Sequence, residues 1–165
     1  MEKKIVLGLL LGLFLAASCQ QKSELATEPD VESAKLLNAY DSAKAKKYGA
    51  DTYGMKKYVM ALLKSGPNRS SDSTEAADLQ AAHMANISRM AKEGKLVLAG
   101  PFLDGGTLRG IYIFNVETVA EAEALTNSDP AIQAGSLEME LKEWYGSAAL
   151  MMMNDLHPTL TKESF

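Results

Sequence analysis

The sequence predicts an α+β fold in which strands and helices follow the order β-α-β-β-α-β across residues 55–145 of a 165-residue chain. Three observations carry that prediction. Two helical segments announce their starts with paired capping residues, Asp72 with Glu75 and Thr118 with Glu121. Short runs rich in β-formers stand before, between and after them. Turns built on glycine and proline separate the pieces.

Each element follows from its own pattern. Tyr58 to Leu63 is a short apolar run stopped by Gly66-Pro67, and reads as the first strand; Ser65 to Ser73 is a polar loop. The first helix runs from its cap at Asp72 to Gly94, with an inward stripe through Leu79, His83, Ile87 and Met90. Lys95 to Phe102 is apolar on both faces and predicts a buried strand ending at Gly100-Pro101. Asp104-Gly105-Gly106 turns the chain into a third strand, Arg109 to Val116. Thr118 opens the second helix, with Val119, Ala122 and Leu125 expected inward. Asp129-Pro130 starts a further helical turn, aspartate at the cap and proline at the first helical position, and Gly135 ends it. Leu137 to Tyr145 alternates apolar and charged residues, as a half-exposed strand does. This order is the ferredoxin-like arrangement, an antiparallel sheet with helices on one face. The bare face needs a cover, and a second copy of the same sheet is the simplest one, so a homodimer in the form of a dimeric α/β barrel is expected.

The flanks read differently. Lys3 and Lys4 precede an unbroken apolar run from Ile5 to Ala17, too short to span a bilayer stably and ordered like an export signal over residues 1–18. Ala16-Ala17-Ser18-Cys19 resembles the lipobox of bacterial lipoproteins, which implies lipidation of Cys19 and a lipid-anchored protein of the bacterial cell envelope. Gln20 in place of an aspartate after the cysteine points to the outer membrane. Residues 19–54 form a tether and extension: Gln20 to Pro29 is a polar spacer, and Val31 to Tyr48 carries a weak helical stripe broken by Gly49 and Gly54. Residues 146–165 form a C-terminal extension with three consecutive methionines, Met151 to Met153. Adjacent side chains point in different directions and cannot share one metal, so they read as an apolar contact at a subunit or domain edge.

Composition excludes several classes. A net charge of −4 without a basic cluster argues against nucleic acid as a partner and against a polybasic lipid-head site. Cys19 is the single cysteine, so no disulfide supports the fold. The two histidines, His83 and His157, form no helical His-x-x-x-His pair, and no glycine-rich phosphate loop follows a strand; neither a metal nor a cofactor is expected.

Chemistry centres on His83 and Asp129. His83 on an inward stripe is either a satisfied core residue or an acid/base group, and Asp129 is accounted for by capping alone. Together they make a sharper case. An imidazole with an ordinary pKa of about 6.5 exchanges protons near neutrality, and a carboxylate on its far nitrogen fixes the tautomer and stabilises the imidazolium. No free thiol or serine elbow supplies a nucleophile, so proton transfer, as in elimination or isomerisation, fits better than acyl transfer. Arg109 is a candidate partner for a ligand carboxylate or enolate, or else a surface ion pair; Gly100 and Pro101 either shape a pocket wall or simply end a strand.

Glu93-Gly-Lys-Leu-Val-Leu-Ala-Gly-Pro-Phe102, followed by Asp104-Gly105 and Arg109-Gly110, resembles the YCII-related family. His83 in LQAAHMANI and Asp129-Pro130 in NSDPAIQAG fit in order, and the resemblance covers Met55 to Trp144. It implies a dimeric ferredoxin-like α+β barrel with a site built on the histidine and the aspartate. Some relatives look like lyases or dehydrochlorinases of small cyclic compounds. The expected function is therefore a small acid/base enzyme acting on a small organic molecule; the alternative is a non-catalytic ligand-binding or interaction module anchored in the envelope.

Overall fold

The computed structural model describes residues 39–162. The export signal, Cys19, the spacer and the first part of the Val31–Tyr48 segment lie outside the described residues. Within them, α1 covers Ser42–Tyr48, started by the Asp41 carboxylate on the Ala43 and Lys44 amides and ended by Gly49 in the left-handed conformation. Then come β1 (Met55–Ser65), α2 (Ser73–Lys92), β2 (Leu96–Pro101), β3 (Leu108–Phe114), α3 (Val119–Thr126), α4 (Pro130–Gln133) and β4 (Leu137–Ser147). A 3-10 turn, Ala148–Met152, leads into α5, Met153–Leu160.

The four strands form one sheet in the order β2-β3-β1-β4, every pair antiparallel. The two central strands, β1 and β3, are the first and third in sequence, which is the ferredoxin-like topology. One face packs on α2 and α3 through Val59, Ala61, Leu63, Met90, Tyr112, Phe114 and Ala122. Gly110 on β3 is required by close approach: a Cβ there would come within 2.5 Å of the Gly100 carbonyl oxygen on β2.

The second face departs from expectation, because the chain supplies part of its own cover. Tyr58, Val97 and Ile113 are buried there under Leu150 and Met151 of the 3-10 turn, with Met60, Leu98 and Trp144 beside them. Tyr58 donates its hydroxyl to the Ser147 carbonyl (3.0 Å), and the Asn154 amide donates to the Leu96 carbonyl (3.0 Å), pinning the tail to the sheet. Asp155 on α5 accepts from Lys47 (2.9 Å) and Tyr48 (3.1 Å), so α1 joins the same cap. Farther along this face, Leu62 and Ile111, paired across β1 and β3, lie outside that cluster and are half-buried.

Three local expectations are corrected. β2 is an edge strand buried only at Leu96 and Val97, because β3 alone pairs with it. The box at Asp72 is half made: Asp72 caps Thr74 and Glu75, but the Glu75 carboxylate takes the Ser70 hydroxyl instead of turning back to Asp72. Val119 is exposed at the first position of α3, while the box of Thr118 with Glu121 is complete.

Candidate active site

His83 reaches the interior because α2 turns His83, Asn86 and Met90 to one side, three and four positions apart. Asp129 is delivered by the turn between α3 and α4. The segment just after α4 is held against the end of β1: Gly66 donates to the Ser136 carbonyl and Asn68 to that of Gly135. A Cβ at Gly66 would meet the Gly135 carbonyl oxygen at 2.2 Å, so the approach depends on glycine.

The two side chains meet. His83 Nδ1 lies 2.8 Å from Oδ2 and 3.0 Å from Oδ1 of Asp129, whose Oδ1 also accepts the Ala131 amide at 2.9 Å. Aspartate therefore caps α4 and holds the imidazole at once. Asp129 is fully buried and His83 is 7 % exposed. An ionised carboxylate only accepts, so Nδ1 carries the hydrogen and the neutral ring keeps its lone pair on Nε2.

That lone pair has a partner the sequence reading missed. The Tyr112 hydroxyl on β3 lies 3.2 Å from His83 Nε2. Tyr112 stands between two alanines, Ala61 on β1 and Ala99 on β2, which leave room for the phenol to rise from the sheet toward α2. The Phe114 ring meets it edge to face at 5.7 Å. Burial, with a smaller contribution from the Asp129 charge, drives the Tyr112 phenol well above its ordinary range, so it remains a neutral donor. In the sequence, the one available signal was the alternation of Gly110, Tyr112 and Phe114 on a single strand face.

The other candidates are not brought to this centre. Arg109 lies an odd number of residues before Tyr112 on β3 and so projects to the opposite face, where it bonds the Gly106 carbonyl of its own turn (3.3 Å). Gly100 and Pro101 pair with Ile111 and Gly110 at the far end of β2. A cleft of about 150 Å³ opens elsewhere, lined by Lys57, Tyr58, Glu117, Glu143, Trp144 and Tyr145, and contains neither His83 nor Asp129.

The fold and this chain of carboxylate, imidazole and phenol define a ferredoxin-like α+β domain with a polar centre between its sheet and its helices. The model of the YCII-related domain matches residues 57–145, and the chain belongs to that family. The uncharacterized protein YjpA of Bacillus subtilis (strain 168) is 33 % identical over 64 residues, 39 % of this chain and 73 % of its own. Among solved structures, a complex of 5-chloro-2-hydroxyhydroquinone dehydrochlorinase (TftG) from Burkholderia phenoliruptrix AC1100 with 2,5-dihydroxybenzoquinone is similar, with a TM-score of 0.40 and 20 % identity. The match covers 52 % of this chain and 92 % of that one.

Proposed function

We propose that this protein is a small acid/base enzyme that moves a proton on a small organic molecule, in an elimination or isomerisation, with His83 as the transferring group and Asp129 as its positioning partner. The observation that carries the reading is the pairing of a buried imidazole with a fully buried carboxylate at 2.8 Å. His83 Nε2 accepts the substrate proton, Asp129 stabilises the imidazolium that forms, and the Tyr112 hydroxyl gives way as the substrate reaches the ring. When Nε2 is protonated the same hydroxyl accepts from it, so Tyr112 suits both states of the histidine. General acid/base transfer of this kind contributes on the order of 10²–10⁴ in rate.

A second reading, a structural pin joining α2, α4 and the sheet, draws on the burial of all three residues and the bonding of both ring nitrogens. His83→Gln separates the two. Proton exchange on candidate carbon acids is followed by NMR in D2O beside a denaturant melt. Lost exchange with unchanged stability supports the enzyme; a loss of several kcal/mol in stability with no exchange in the wild type supports the pin.

The Ala16-Ala17-Ser18-Cys19 pattern supports export and lipid anchoring in the bacterial envelope. Labelled fatty acid incorporated by the wild type and not by Cys19→Ala is the expected result; equal labelling refutes it. We also keep the homodimer as part of the proposal. The half-buried Leu62 and Ile111 supply the apolar contact for a second copy, and a strictly monomeric sedimentation profile would remove it.

A further inference from the structure

One turn beyond His83 on α2, Asn86 is 8 % exposed, and its Nδ2 is a buried donor with no hydrogen-bond partner among the described residues. A buried amide hydrogen left unpaired costs about 1–3 kcal/mol, and such groups are rare enough in native proteins that each requires a reason. The orientation of this amide is fixed. Asn86 Oδ1 accepts from Arg89 Nη2 at 2.8 Å and lies 3.3 Å from Ser128 Oγ. Exchanging its oxygen and nitrogen would set one donor against another, so Nδ2 faces away from Arg89. Arg89 is itself braced by both Glu93 carboxylate oxygens (2.9 Å each) and reaches Ser128 Oγ at 2.9 Å. Two adjacent rungs thus link α2 to the turn before α4: His83 with Asp129, and Asn86 with Ser128. Residues three apart share a helix face, with Cβ atoms about 5–6 Å from one another.

We propose that Asn86 Nδ2 is the oxygen-binding donor of the His83 site, and that the ligand is a small carbonyl compound bearing an acidic α-hydrogen. This rests on the acid/base reading of His83 and names the substrate class for it. His83 Nε2 takes the α-hydrogen as the C–H bond breaks; that electron pair forms the C=C bond, and the carbonyl π pair moves onto oxygen. The enolate oxygen accepts the Asn86 N–H, held in place by Arg89, while Asp129 faces the imidazolium. Return of the proton to that α-carbon, on either face, regenerates the carbonyl and epimerises a stereogenic centre there without any further reactant. A neutral, preoriented donor of this kind is worth on the order of 10²–10³ in rate.

The test uses the full chain with pentane-2,4-dione as probe, reading the Asn86 side-chain amide by NMR and α-hydrogen exchange in D2O. The expected result is a shift of the Asn86 amide on adding the dione, with exchange reduced on the order of 10²-fold in Asn86→Asp. That variant keeps an acceptor for Arg89 and puts a carboxylate oxygen, which cannot donate, in place of the N–H. His83→Gln is expected to abolish exchange while the amide shift persists. An Asn86 amide indifferent to the dione in the wild type, whatever the variants do, overturns the proposal; so does wild-type exchange in a folded Asn86→Asp. Failure of the His83 reading has its own signature, undiminished exchange in His83→Gln, and it removes this proposal too.

Discussion

Tyr112 Oη and His83 Nε2 lie 3.2 Å apart, so the imidazole is bonded at both nitrogens, to the sheet on one side and to the Asp129 cap on the other. The three residues come from β3, α2 and the start of α4, and the contact therefore reports on the packing of the whole helical layer. It also sets what a ligand has to displace.

Tyr112→Phe keeps the ring and its edge contact with Phe114 but leaves Nε2 without its hydroxyl. Stability is expected to fall by about 1–3 kcal/mol, the cost of an unpaired buried polar atom. Proton exchange at His83 is expected to survive, because the transferring nitrogen is still present. Denaturant unfolding and NMR of the imidazole nitrogens check the two halves separately.

At Asp129 the carboxylate has two tasks that different substitutions separate. Asp129→Asn retains an oxygen for the Ala131 amide, and is expected to stay folded while losing on the order of 10²–10⁴ in exchange rate. Asp129→Ala loses the cap as well, about 0.5–2 kcal/mol, and strands the Nδ1 hydrogen in the interior. Its unfolding midpoint is expected to be clearly the lower of the two, and equal midpoints would refute the double role.

Ala61 is fully buried opposite Tyr112. Ala61→Leu fills the space in which the phenol stands, with an expected overpacking cost of about 1–3 kcal/mol. The loss of the Tyr112–His83 contact would appear as a changed histidine ring spectrum. An unaltered spectrum would show that the small residue has no part in setting the site.

Acid should weaken the β1–β4 edge through Glu140. Lys142 first, at 2.7 Å, and then Lys64 hold its carboxyl down to about 2, from an ordinary 4.5. The folded-state value is the depressed one, so this contribution is present above about pH 4.5 and is lost as pH falls toward 2. The stability difference between the wild type and Glu140→Gln is expected to close over that interval and to shrink at high salt.

The order of elements was legible because each start and stop is a local event. Thr118 with Glu121 and Asp129 with Pro130 carry their own hydrogen-bonding instructions, and both appear in the structure. Edge or centre is not local: Leu96 to Pro101 is apolar enough for an interior strand, and only the pairing order shows that it borders the sheet. The Glu75 box failed because Ser70, outside the motif, offered its hydroxyl to the same carboxylate. Helical spacing turned His83 inward and a proline marked Asp129 as a cap, while their pairing in one site was what the family resemblance implied. Tyr112 carried no such mark, since an aromatic residue in a strand looks ordinary until its neighbours across the fold are known. Arg109 was conspicuous for its charge, yet its strand parity sends it to the other side.

The match to the family stops at residue 145, but the folded body does not. Leu150 and Met151 keep water off Tyr58, Val97 and Ile113. Cutting the chain at the end of that match would wet three aromatic and branched side chains at one stroke, giving a sticky fragment that binds hydrophobic dyes and precipitates. The smallest well-behaved piece of this protein should therefore retain the residues through Leu160, and its C-terminal segment is better regarded as a missing wall of the domain than as a tail.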